Sequence, residues 1–191
     1  MEKYAKKILK YLNNNHTKIE VKPEFKGNYY SFLTDTIYIA KNFNSKQPKK
    51  NVEKINVNTS NLVVTCHECI HSIQSRALHI INTILSNVSL ILALVVVLLS
   101  VFKKESLVFN LASLSIIVAS VALRCVLEME AINGSTKLAL EILQQENIDK
   151  ITLNDIKQAE EYIKKHKLLA LLGMNKDKII MIVTLLLIGI I

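Results

Sequence analysis

Apolar and polar positions change their spacing several times along the chain, and each change marks an element. In residues 1–15, Tyr4, Ile8, Leu9 and Leu12 share one helical face with Lys3, Lys6, Lys7 and Lys10 around it, which predicts an amphipathic helix. Such a helix packs on a folded body or lies on a membrane surface. Residues 19–21 and 36–40 read as short strands with Gly27-Asn28 as turn chemistry between them, so a small hairpin or sheet is expected. Residues 41–57 are polar and basic, contain Pro48, and predict a loop.

From about Ser60 the spacing turns helical, and between Arg76 and Lys103 no Asp, Glu, Lys or Arg occurs. The uncharged stretch 77–102 exceeds the ~20 residues that an apolar helix needs to cross a bilayer. It predicts a first transmembrane helix. After Lys103-Lys104-Glu105 a second uncharged run, 106–123, is just long enough to return, which predicts a tight membrane hairpin. Residues 125–146 continue as a helix beyond the membrane, residues 152–155 resemble a capping box, and 155–167 form a charged amphipathic helix. The last apolar run, 179–191, is too short to span unless its helix begins near Leu168 with Lys176, Asp177 and Lys178 buried or snorkelling. Its topology stays open at this level.

Composition sharpens the membrane reading. Half of the 191 residues are hydrophobic, yet Trp is absent and aromatics make up only 6%, so the excess is aliphatic. The net charge of +8 comes from lysines outside the apolar runs, without interleaved stacking aromatics. That argues against nucleic acid and for anionic lipid headgroups. Cys66, Cys69 and Cys125 make no disulfide framework and fit a reducing compartment. The N-terminal segment lacks the apolar core and cleavage site of a signal peptide. A single domain over 1–191 is expected: an N-terminal part (1–59), the motif helix with the hairpin (60–123), and a helical C-terminal part (124–191).

The chemistry concentrates in V-V-T-C-H-E-C-I-H-S-I-Q. His67 and His71 are four apart, so on a helix both imidazoles project from one face and can ligate one ion, with Glu68 beside them. In zinc hydrolases this spacing leaves a coordination position for water while the Glu acts as base. The predicted reaction is amide hydrolysis. Val63, Val64, Ile70 and Ile73 around the motif suit a half-buried site helix.

A third ligand follows from the hairpin. The motif helix enters the membrane at its C-terminal end, so the second membrane helix returns the chain to the same side near Leu123. Glu128 and Glu130 stand there. Glu128 is followed by Ala131 and Ser135, small residues that permit close helix approach, and it is the predicted third ligand, with Glu130 the alternative. Cys66 and Cys69 form a CxxC that could serve a structural zinc, but they are rotated off the histidine face and read as buried thiols. His79 reads as a packed or interfacial residue, His16 and His166 as solvated.

Taken together, the chain resembles the bacterial membrane-bound neutral zinc metallopeptidases over most of residues 28–191. The matching pieces are Tyr30 with Thr36-Ile37-Tyr38-Ile39, then Cys66 to Gln74 as A/C-H-E-x-x-H-x-I-Q, the hairpin, Glu128 to Ala131 as E-x-x-A, the amphipathic stretch around 156–163 and the terminal apolar run. The resemblance implies zinc held by His67, His71 and Glu128, with Glu68 as catalytic base and a peptide or membrane-protein substrate.

Thirteen Lys and Arg precede the first membrane helix, against Lys103 and Lys104 in the hairpin connection, so the positive-inside rule predicts a multi-pass cell-membrane protein with its site on the cytoplasmic side. The fold expected is mostly α, with a small strand element before the HExxH helix, a transmembrane helical hairpin and a helical C-terminal part. The competing class is a non-enzymatic relative of the same fold that binds metal or a partner without hydrolysis. Oligomeric state and substrate preference leave no signature in the sequence.

Overall fold

The computed structural model describes residues 2–24, 27–40, 57–102, 106–145 and 151–188; most of the expected 41–57 loop and the Lys103-Lys104-Glu105 connection lie outside them. The elements run α1 (Glu2–Tyr11), β1 (Lys18–Lys22), β2 (Tyr29–Ser31), β3 (Thr36–Ala40), α2 (Val57–Ile73), α3 (Arg76–Val101), α4 (Leu107–Gln145), α5 (Leu153–Met174) and α6 (Lys176–Ile188). The described residues are mostly helical with one small sheet, as the patterning predicts. It forms two compact units, Met1–Gln74 with Met129–Lys167, and Ser75–Glu128 with Leu168–Ile191.

In the first unit the sheet has the order β1-β3-β2. β1 pairs in parallel with β3, Lys18 opposite Thr36 through Lys22 opposite Ala40, and β2 pairs antiparallel with β3. Gly27-Asn28 therefore leads into β2 instead of closing a β1–β3 hairpin. Thr36, Ile37, Ile39 and Ala40 of β3 are all buried, as befits a central strand covered on both faces. The reversal before β3 is made by Asp35 in the left-handed region, φ 48°, which Asp tolerates because its side chain bonds locally. Its carboxylate accepts the Thr17 hydroxyl at 2.7 Å and the Tyr30 hydroxyl at 3.0 Å, and pairs with His16 Nδ1 at 2.6 Å. Burial pushes the Asp35 carboxyl up, but these bonds and the His16 charge together outweigh it and hold it below the usual carboxylate range.

α1 turns Ala5, Ile8 and Leu9 into the core, where they meet Ile37, Leu62, Cys66, Ala131 and Ile142. Removing Ile8 and Leu9 from water contributes about 1.5–3 kcal/mol each. α2 buries Leu62, Val63, Cys66, Cys69 and Ile70, a stripe at helical spacing. α5 opens with the capping box read in the sequence: Asp155 N–H donates to Thr152 Oγ1 at 3.2 Å and Thr152 N–H to Asp155 Oδ2 at 2.8 Å.

Among the described residues two helices are long and apolar enough to cross a membrane, α3 and α4, and the second unit holds α3 and α4 as far as Glu128. Ile84, Leu90, Ile91, Leu94 and Leu98 of α3 are exposed, while its buried positions are Ser89, Ala93 and Val96. The helix therefore keeps small residues for packing and turns large aliphatic ones outward. Ala93, Val96, Ile117 and Leu185 form an apolar cluster of their own. α5 ends at Met174, Asn175 donates through Nδ2 to Leu171 O at 2.9 Å, and α6 restarts at Lys176. Of Lys176, Asp177 and Lys178, the last is buried: its Nζ donates to the hydroxyls of Ser86, at 2.8 Å, and Ser120.

Candidate metal centre

The burial stripe of α2 rotates the motif into position. With Cys66, Cys69 and Ile70 facing the core, His67 and His71 project along the neighbouring face, His67 half-buried and His71 only 9% exposed. Their Nε2 atoms are 3.1 Å apart and the rings meet edge to face at 90°. Two nitrogens on one tetrahedral zinc at ~2.05 Å each stand about 3.3 Å apart. The two imidazoles already have that separation.

α4 supplies the carboxylates. It runs unbroken from Leu107 to Gln145, and Glu128 is the residue just before its stretch in the first unit. That stretch is fixed against α2 by Ala131 in the shared core, by Gly134 against Ile70, and by the bond between Gln74 Nε2 and Glu130 Oε2 at 2.9 Å. Helix continuity carries Glu128 with it. One ligand atom each from His67, His71 and Glu128 lie within 4.8 Å of one another. Two imidazoles and a carboxylate fit a divalent transition metal, since neutral nitrogen and anionic oxygen are the donors that zinc and its neighbours take. Glu128 and not Glu130 completes the group; Glu130 bonds Gln74 instead.

Glu68, 8% exposed, accepts the backbone N–H of Tyr30 through Oε2 at 2.7 Å. That N–H belongs to β2, an edge strand, so the sheet reaches the motif through its main chain. His71 Nδ1 lies 2.7 Å from Gln74 Oε1. The far end of α2 is braced by Asn14, whose Nδ2 donates to Ser72 Oγ at 3.0 Å and to Thr17 Oγ1 at 2.9 Å.

Cys66 and Cys69 are completely buried, and burial pushes both thiols up, with the Glu68 charge adding at Cys69. They belong to the core, and the metal-type group among the described residues is the histidine–carboxylate one. His16 is exposed but paired with Asp35, and His166 is half-buried, stacked on Tyr162 with Nδ1 donating to Tyr162 O at 2.9 Å. Sequence spacing set His67 and His71 on one helix face and the expected hairpin return pointed to Glu128, and the ligand atoms of these three converge. The sequence had no signal for the Tyr30 N–H, a main-chain donor, nor for the partners of Gln74, which depend on how α4 approaches.

No family model, curated protein or solved structure matches the chain.

Proposed function

We propose that the protein is a membrane-embedded zinc endopeptidase of the HExxH type, akin to the bacterial membrane-bound neutral zinc metallopeptidases whose motif order it resembles. The observation that carries this reading is the convergence of His67, His71 and Glu128 within 4.8 Å, with Glu68 adjacent on α2. Bound there, zinc would supply a Lewis acid that polarises the scissile carbonyl and lowers the pKa of a water toward ~7. His67, His71 and Glu128 would hold the ion. Glu68 would take the proton of the attacking water on its carboxylate and deliver it to the departing amine nitrogen as the C–N bond breaks. The Tyr30 N–H, on Glu68 Oε2, orients that carboxylate.

The outward-facing aliphatic residues of α3 and the start of α4 support a membrane hairpin, because exposed apolar surface of this kind marks contact with lipid or a partner. The lysine distribution supports a cytoplasmic site, and hence peptide or membrane-protein substrates reaching it from that side.

One observation favours a second reading, metal binding without hydrolysis: Glu68 is engaged by the main chain and would then be a strut between α2 and β2. Elemental analysis of detergent-purified chain, paired with a peptidase assay, separates the two. About one zinc per chain, lost in His67→Ala and His71→Ala together with proteolysis, supports the enzyme. Zinc with no proteolysis in the wild type supports the strut, and no zinc at all rejects both.

A further inference from the structure

The geometry points to Gln74 and Glu130 as a pair of positioning residues that set which nitrogen His71 presents to a metal ion; the inference rests on the metal-site reading above. Gln74 is the third residue after His71, immediately beyond the end of α2, where a side chain can fold back over the preceding turn. Its Oε1 lies 2.7 Å from His71 Nδ1 and its Nε2 2.9 Å from Glu130 Oε2.

The direction of this chain is fixed by chemistry. An ionised carboxylate only accepts, so Glu130 must face the amide nitrogen of Gln74. The amide oxygen is thereby turned toward His71. An amide oxygen also only accepts, so the His71 proton must reside on Nδ1, and the Nε2 lone pair is directed to the place where His67 Nε2 converges, 3.1 Å away. Glu130 thus acts on the centre through Gln74 and not as a ligand. Without Glu130 the amide could turn over and offer N–H to Nδ1, favouring the tautomer whose Nε2 carries hydrogen and cannot ligate.

The test is metal affinity, measured on the full chain in detergent by competition with a chromophoric chelator, with the visible spectrum of the cobalt-loaded protein as a second readout. Gln74→Ala should weaken binding by about 10–100-fold, the usual scale for losing such a partner. Gln74→Glu alone sets two carboxylates against each other and should also weaken it. Combined with Glu130→Gln, it rebuilds an acceptor toward His71 and a donor toward that acceptor, so affinity and cobalt spectrum should return to within about 3-fold of wild type. A packing role would not predict that reciprocal rescue. Wild-type affinity in Gln74→Ala, or a folded double variant no better than Gln74→Glu, overturns this inference while leaving the metal site standing. A wild-type chain that binds no metal overturns both.

Discussion

Gly134 of α4 lies directly against the Ile70 side chain of α2: a Cβ built on Gly134 would stand 2.6 Å from Ile70 Cδ1. The residue between the two halves of the HExxH motif thus fills the space that glycine leaves on the carboxylate-bearing helix. The approach of the two helices is set by this contact.

Gly134→Val should therefore lower stability by about 1–3 kcal/mol, the cost of overpacking, and weaken metal binding as α4 is pushed back. Gly134→Ala gains up to about 1 kcal/mol of helix propensity, which displacing the Ile70 methyl offsets. Chemical denaturation should also find Ile70→Ala partly rescuing Gly134→Val. A wild-type midpoint for Gly134→Val would reject the contact as a constraint.

Glu68→Gln keeps an oxygen that can accept the Tyr30 N–H but removes the carboxylate proposed as base. Zinc content should stay near wild type while proteolysis falls by ~100-fold or more. Unchanged cleavage would remove Glu68 from the chemistry.

If α3 and the start of α4 cross the membrane in opposite senses, the residues near Arg76 and Arg124 lie on one side and the connection between the two helices on the other. In a Cys125→Ser chain, buried and neutral Cys66 and Cys69 should stay unreactive toward an impermeant thiol reagent. Ser106→Cys on that background should label in intact cells, and Lys137→Cys only after lysis. The inverse pattern would move the site to the outer face, and labelling of both before lysis would end the hairpin reading.

Asp35 gives the first unit an acid-sensitive turn. Its carboxyl is held below the usual range in the folded state, so its stabilisation is complete above the unfolded value of ~3.9 and is lost as pH falls through the lower folded value. Asp35→Asn tolerates the same left-handed backbone yet carries no charge. Its denaturation midpoint should fall less steeply than wild type below about pH 4. Identical slopes would deny Asp35 this role.

How much of this is legible without coordinates depends on the range of the interaction. The helical stripes of α1, α2 and α5 and the uncharged runs of α3 and α4 are local patterns, and they stand nearly where the sequence puts them. That His67, Glu68 and His71 share one helix is legible from their spacing, whereas the convergence of Glu128 with the two histidines is a tertiary relationship for which the sequence offered only an expected hairpin return. β2 is not: Tyr29-Tyr30-Ser31 is too short to show alternation. Nor is the parallel pairing of β1 with β3, since a central strand buried on both faces reads as a plain apolar run. Whether Lys178 is buried or snorkels is not legible either, since the two hydroxyls that accept from it lie 58 and 92 residues away in sequence.

The bond from Tyr30 to Glu68 has a consequence for heat. β2 is three residues long and lies at the sheet edge, the sort of element that melts locally before a helical core does. Once it frays, Glu68 loses the Tyr30 N–H while the helices stay folded. On the proposed function, the temperature at which proteolysis stops should therefore lie below the temperature at which the helical signal is lost, and brief heating between the two should be reversible on cooling.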